Sequence, residues 1–357
     1  METIFNLEEF EQDALTALID VRPEYSFRLA SVFPPQYSYD NKYAIDAIKA
    51  QARLASKITG FNATAPIRSY AELEQVSGKV TKIMDSYYFK ESDLIEINRP
   101  RTGTNERETA INRVLLDIVE LANGVDYVLE YLRARLVYDG VVEYSDPSTL
   151  VKIEFDVNRP EGNDMAAAVA WDQPDADPIG DLQLALEQYR AENNEADPDR
   201  VDLSRHAEAL LKRSKAVKEE VHGTGSNRIV TTALLQELFA NIGLPEYFVN
   251  RDVTSIETLE ENADGKMVRV RKQRKHLDDN KVVLYGAQMG NTIHGITAEN
   301  GYKHGKFVSH VNEQNPPTQA VIVGEAAIPA LTANTANVVL NVAGTVAAPE
   351  PEPEPAA

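Results

Sequence analysis

The chain has 357 residues, 43% of them hydrophobic, no cysteine, and a formal net charge of -20. That length allows two or three lobes with cores of their own. The missing cysteine excludes disulfides, thiolate nucleophiles and zinc–thiolate sites, and the acidity repels phosphate backbones and argues against a direct nucleic-acid reader. The acidic, amphipathic start "METIFNLEEFEQDALTALID" lacks the basic region and unbroken apolar core of a secretion signal, so a reducing cytoplasm is the expected setting.

Residues 1–56 read as a short amphipathic helix followed by an irregular arm, "RLASVFPPQYSYDNKYAIDAI", broken at Pro34-Pro35. Such an arm lacks a core of its own and must lie along its own body or along a neighbour. Residues 57–98 carry short extended runs punctuated by Pro66 and Gly78 and read as a long two-stranded ribbon. An isolated ribbon is marginal in water, so it too implies a surface to rest on.

The next segment, 105–138, is the most informative. Ile111, Leu115, Ile118, Ala122, Val125, Leu129, Leu132 and Leu136 recur every three or four residues, the spacing of one buried helical stripe. Val114, Val119, Leu121 and Val128 widen that face beyond a coiled-coil seam, and Asp117, Glu120, Asp126, Glu130, Arg133 and Arg135 rule out a membrane span. The expectation is a long helix lying broad face down on a sheet, its basic last turns complementing the helix dipole, with Gly124 marking a close approach or slight bend.

Beyond it, "LVKIEFDV" alternates as a strand, and a polar connection containing the single tryptophan, Trp171, leads to helices over 179–245, written "IGDLQLALEQYRAE", "DLSRHAEALLKRSKAVKEEV" and "IVTTALLQELFANIG". Strands follow from "YFVNRDVTSIETL" through "KVVLYGA". Between them "NADG" is a hairpin turn signal, and "KMVRVRKQRKH" (266–276) reads as a strand with one charged face in preference to a phosphate patch. A last strand lies in "TANVVLNVA", and residues 347–357 form an acidic, proline-rich tail expected to be disordered. The fold class is α+β, without βαβ alternation or internal repeat.

Catalytic chemistry is sparse. The six histidines, at 206, 222, 276, 294, 304 and 310, form no zinc-type pair, so no metal or cofactor is expected. The glycines of "GAQMGNTIHGITAENG" (286–301) lack the residues of a P-loop or dinucleotide fingerprint and read as turns between strands. "HGTGSN" (222–227) reads as a glycine-rich loop between helices, without a nucleophile elbow or triad. An enzyme using 286–301, with Asn291 and His294, is the weakest of the functional alternatives.

The order of parts and the segments "SVFP" (31–34), "TAPIRSY" (64–70), "AWDQPDADPIGDL" (170–182), "KVVLYGAQMGNTIHGITAE" (281–299) and "AAIPALTANTANVVLNV" (326–342) resemble the major capsid proteins of tailed bacteriophages, most closely the lambda-like major capsid protein E family. The tail does not fit that pattern. The resemblance implies an N-terminal arm at 1–56, an extended β-ribbon loop at 57–98 lying over an adjacent subunit, and a peripheral domain at 99–178 whose spine is helix 105–138. It further implies an axial domain at 179–330, a closing strand of the peripheral domain at 331–346 and a disordered tail at 347–357.

The implied function is structural: a head protein forming pentamers and hexamers of an icosahedral shell around double-stranded DNA, assembled in the host cytoplasm. Its partners would be itself, with portal and scaffold or decoration proteins, and DNA without sequence-specific binding or a membrane. A filament, tube or bacterial compartment shell is the alternative. The implied inter-subunit contacts are Phe33, Tyr37, Tyr39, Arg68, Tyr70, Lys79, Lys82, Tyr87, Tyr88, Arg269 and Arg271, and the implied buried spine face is Ile111, Leu115, Ile118, Val125, Leu129, Leu132 and Leu136.

Overall fold

The computed structural model describes residues 5, 7–21, 27–47, 74–89, 94, 97, 106–146, 151–156, 159–261, 267–314, 317–332 and 335–343. The expected ribbon segment 57–73 with Arg68 and Tyr70, the turn at 262–265 and the tail at 347–357 lie outside these residues. In chain order the main elements are α1 (Gln12–Val21), β1 (Pro35–Tyr37), β2 (Lys42–Ala47), β3 (Glu74–Lys79), β4 (Lys82–Tyr88), α2 (Glu106–Ala134), β5 (Val141–Asp146), β6 (Val151–Asp156) and β7 (Asp164–Ala166). Next come α3 (Pro178–Glu192), β8 (Arg200–Ser204), α4 (Arg205–Arg213), α5 (Lys215–His222), α6 (Thr232–Asn241), β9 (Tyr247–Asn250), β10 (Val253–Glu261), β11 (Met267–Lys275) and β12 (Lys281–Tyr285). The last are β13 (Gly290–His294), β14 (Ile296–Thr297), β15 (Lys303–His304), β16 (Phe307–Gln314), β17 (Pro317–Leu331) and β18 (Asn337–Asn341).

The chain divides into two compact units, one of residues 1–47, 74–134 and 290–332, the other of 48–73, 135–289 and 333–357. In the first, the 29-residue helix α2 lies on a five-stranded sheet centred on β17. Residues 320–324 of β17 run between β4 and β16, its end pairs with β13, and β1 adds in parallel to β13. Strand alternation aims Val321 and Val323 at the helix, where Ile111, Val114, Ile118 and Ala122 meet them together with Val308 and Phe89. Phe10, Leu15 and Ile19 fill the same core. The described start of the arm therefore packs on its own unit, because its apolar residues complete the cover of the sheet.

The second unit is built on the sheet β7-β18-β12-β8-β9. Val201, Leu203, Val282, Leu284, Val338 and Leu340 share one face of it and pack with Leu182, Leu186, Leu235 and Phe239 of the helices. Asp177 caps α3, its carboxylate accepting from Gly180 N at 3.1 Å, and Ser204 and Thr231 cap α4 and α6 in the same way.

Several expectations change here. The ribbon is differently paired: β3 bonds back to β2 of the arm, and β4 belongs to the sheet under α2. The expected axial range is cut as well, since β13 to β17 cluster with α2, whereas the expected closing strand β18 pairs with β12 and β7 in the second unit. Residues 200–204 form a strand, because Val201 and Leu203 alternate with the buried Asp202. The helix expected through 202–221 starts only at Arg205 and breaks at Ser214. Strands β8 and β9 pair in parallel with α4, α5 and α6 between them, a crossover that the absence of βαβ alternation did not anticipate.

Candidate assembly surfaces

The spine is built from the periodicity already noted. Ile111, Ile118, Val125, Leu129 and Leu132 are buried along α2, Leu115 is half-buried, and Leu136 is buried beyond the regular helix, in a π turn over Arg135–Asp139. Gly124 makes no close approach, as a Cβ there would meet nothing within 4 Å.

The same face also carries charge. Glu130 and Arg133 are both buried: Glu130 Oε1 accepts from Leu29 N at 2.7 Å, and Arg133 Nη1 donates to Glu130 Oε2 at 3.1 Å. The guanidinium also donates from Nε and Nη2 to Thr292 Oγ1, at 3.1 and 3.0 Å, and that hydroxyl donates to Phe33 O at 3.1 Å. One network thus ties arm, spine and β13. Arg133 anchors the arm, where the sequence assigned it only to the helix dipole. The available signal was the spacing, because residue 133 falls between Leu129 and Leu136 on the stripe, where a charge has to be partnered.

A second buried carboxylate stands in β17. Glu325 is 3% exposed, its Oε1 hydrogen-bonded to His294 Nδ1 at 2.6 Å and its Oε2 3.4 Å from Lys306 Nζ, which in turn meets Asp126 at 2.8 Å. Burial alone would raise its pKa, but the His294 hydrogen bond and Lys306 together hold it below the usual carboxylate range. In the second unit, Asp202 accepts from Tyr138 and Tyr285, at 2.6 and 2.8 Å, and burial pushes the Tyr138 hydroxyl well up, reinforced by the Asp202 charge. These groups are enclosed and fully engaged with one another, which suits them to holding elements together.

The contact candidates separate by exposure. Tyr37, Tyr39 and Tyr88 are well exposed, as are Lys79 and Arg271. Tyr37 and Tyr39 pack edge-on to His304, at 5.0 and 4.6 Å between ring centres. Lys82 is ion-paired with Glu299 and lies over the Phe307 ring at 5.0 Å. Phe33 has to be removed from the set: it is 1% exposed, wedged against Gly290, where a Cβ would meet its ring at 2.8 Å and Ala330 O at 2.1 Å. That glycine serves close packing within β13 and is not a turn or a phosphate cradle. Tyr87 faces the spine core, 5.4 Å from Phe89, so it too is turned inward.

The basic segment forms the antiparallel hairpin β10–β11, paired from Val253↔Lys275 to Glu261↔Met267. Alternate residues of a strand face opposite sides, so Arg271 lies on one side and Lys272 and Arg274 on the other with Val268 and Val270. The expected single charged face is therefore two. Among the described residues no group of histidines and carboxylates could hold a metal ion, and no helix is long and apolar enough to cross a membrane.

The fold has known counterparts. It is similar to the crystal structure of a phage-related protein from Bordetella bronchiseptica RB50, with a TM-score of 0.52 and 15% identity over 94% of this chain and 98% of that one. It is also similar to a protein of an Escherichia coli CFT073 prophage proposed as its capsid protein, with a TM-score of 0.55 and 13% identity over 93% of this chain and 99% of that one. No protein-family model and no curated protein matches the chain. The architecture is thus the α+β fold shared with these two structures, with a long helix laid on a sheet and a second, mixed lobe.

Proposed function

We propose that the protein is a major capsid protein that self-assembles into the pentamers and hexamers of an icosahedral shell enclosing phage double-stranded DNA. The observation that carries this reading is the combination of the capsid fold over nearly the whole chain with two-stranded ribbons that have no third strand among the described residues. Such parts need a neighbour to cover them, and contacts between unlike patches close into rings.

In this reading α2 with its sheet is the peripheral domain, and the unit around β12 and β18 is the axial domain. The excursion bounded by β2 and β3 is the extended loop over the adjacent subunit. Tyr37, Tyr39, Lys79, Lys82, Tyr88 and Arg271 are the contacts, joined by Arg68, Tyr70 and Arg269. The role is structural and not enzymatic, and the partners beyond itself are portal, scaffold or decoration proteins and non-specifically enclosed DNA. The place of action is the virion after assembly in the host cytoplasm, and the quoted sequence segments favour the lambda-like group.

Electron microscopy and light scattering of the purified chain test the reading. Closed icosahedral particles are expected. A chain that stays monomeric under every condition overturns it, and open tubes would favour the filament or compartment alternative.

A further inference from the structure

We infer that the tyrosine–lysine patch around His304 binds the Pro-Glu tail, residues 349–355, of a second copy of this chain. The inference rests on the shell reading above and names what Tyr37, Tyr39 and Lys79 meet there. Tyr37, Tyr39 and Tyr302 are 59%, 77% and 72% exposed, a concentration of bare aromatic surface. The patch is held rigidly. His304 packs against both Tyr37 and Tyr39 and donates from Nε2 to Ser38 O at 3.1 Å, while Asn41 donates from Nδ2 to Ile296 O at 2.9 Å and accepts from Ile296 N at 2.7 Å. Fixed aromatic anchors lose little freedom on binding. Around them the charge is basic: residues 37–42, 79–82 and 296–304 hold four lysines, at 42, 79, 82 and 303, against two carboxylates, Asp40 and Glu299. Glu299 is taken by Lys82, and Asp40 accepts from Ser38 Oγ at 3.0 Å and Lys42 N at 3.2 Å. Lys42 and Lys79, both exposed, stand directly opposite each other across the β2–β3 ladder, a like-charge pairing that an anion would relieve. Among the described residues no carboxylate pairs with Lys79 or Lys303.

The occupant follows from chemistry. Prolines at 349, 351, 353 and 355 alternate with Glu350, Glu352 and Glu354, a composition that favours the polyproline II helix. With three residues per turn, each face of that helix carries a prolyl ring and a carboxylate in turn, about 9 Å apart. Exposed aromatic side chains receive the rings of such segments, and free lysines suit the carboxylates. With a net charge of -20 two copies repel, so contact between them requires local pairs of opposite charge, and tail and patch are one. The β10–β11 hairpin is the poorer receiver: Arg271 faces Glu257, Lys275 pairs with Asp279, and neither strand has an aromatic residue. Single-stranded nucleic acid also suits tyrosines and lysines, but the chain as a whole repels phosphate. The contact joins a shell held by larger ones, so particles form without it.

Zero-length carbodiimide coupling tests it, because the reagent joins only carboxylates and amines that touch. Particles co-assembled from equal amounts of isotope-labelled and unlabelled full-length chain are coupled, digested and read by mass spectrometry. Peptides joining Glu350, Glu352 or Glu354 to Lys42, Lys79 or Lys303 are expected, with hybrid-isotope pairs as frequent as uniform ones and the Lys82–Glu299 pair as internal control. Tyr37→Ala/Tyr39→Ala should lose most of the tail couplings and keep the control. Should that variant not assemble, free peptide 347–357 present during wild-type assembly decides. At on the order of 10 mM, above the effective concentration of a tethered segment, it should suppress the tail couplings, and its Glu350→Gln/Glu352→Gln/Glu354→Gln form should not. Uniform pairs alone would put the tail on its own chain, and couplings chiefly at Lys272 and Lys275 would put it on the hairpin. Either result overturns the inference, as do tail couplings that neither the variant nor the peptide reduces. Shells without tail couplings that bind oligothymidylate, and lose that binding in Tyr37→Ala/Tyr39→Ala, would make the patch a nucleic-acid surface instead. Particles without couplings at the patch sink this inference alone, whereas a wild-type chain that never assembles sinks the shell reading itself.

Discussion

Buried charge governs this molecule at the scale of single residues. Arg133 faces a carboxylate, a hydroxyl and, through that hydroxyl, the arm backbone, so removing it strands Glu130 in the core. Arg133→Leu should cost about 3–5 kcal/mol in urea unfolding of the unassembled subunit, and Glu130→Met/Arg133→Leu should regain a good part of that. A loss of only a few tenths would show that the network is solvated. Acid sensitivity follows from His276, whose pKa is lowered to about 4 by burial and by the Arg135 charge. Between pH 6.5 and about 4 the unfolded chain takes up a proton that the folded chain does not, so stability falls as pH drops through that window, by about 3 kcal/mol in all. Burial lowers the pKa of His310 in the same sense. Glu325 acts on a further step: its folded pKa is depressed, so its contribution is present above about 4.5 and is lost as pH falls through the folded value. His276→Gln should flatten the first step of the stability profile between pH 6.5 and 4 and leave the second.

For the elements, the question is which can be removed. Leu129 is 3% exposed on the spine, and Leu129→Asp would bury an unpaired charge, costing several kcal/mol. Insoluble or unfolded protein is expected, and normal solubility with a normal melting curve would place that residue in water. The pairing of β4 with β17 separates two deletions that look alike in sequence. Removing residues 82–88 takes a strand from the sheet under α2 and should unfold the first unit. Replacing residues 48–73 by a short Gly/Ser turn leaves β2 paired with β3, so the helical signal in circular dichroism should persist. On the capsid reading that shortened chain should remain in small oligomers in sedimentation; large closed particles at normal yield would remove this excursion from the list of assembly contacts.

At the scale of the whole molecule, assembly is expected to depend on the projecting parts and not on the acidic tail. Removing residues 348–357, which contain the run "PEPEPEP" at 349–355, should leave both the melting temperature and particle formation unchanged, since a charged, proline-rich segment contributes little apolar area. Loss of particles on truncation would make the tail essential to assembly. Acidity over the rest of the chain has a different consequence: long-range repulsion between copies is screened over roughly 8 Å at physiological salt, so the rate of particle formation should depend on ionic strength.

The sequence by itself determined the long helix, its apolar face, the α3 and α6 helices, the β10–β11 hairpin and the order of parts from which the capsid architecture was legible. These are local matters, fixed by the period of apolar residues and by caps and turns within reach of a few residues. Tertiary structure alone decided the partners. Nothing local to "EQVSGK" says that β3 returns to the arm, or that β4 enters the sheet instead of closing a ribbon, because an edge of backbone amides accepts any strand that the rest of the fold delivers. It also decided that Phe33 is buried and that Arg133 is an anchor and not a surface charge. Burial depends on what arrives from residues 29 and 292, more than a hundred positions away along the chain.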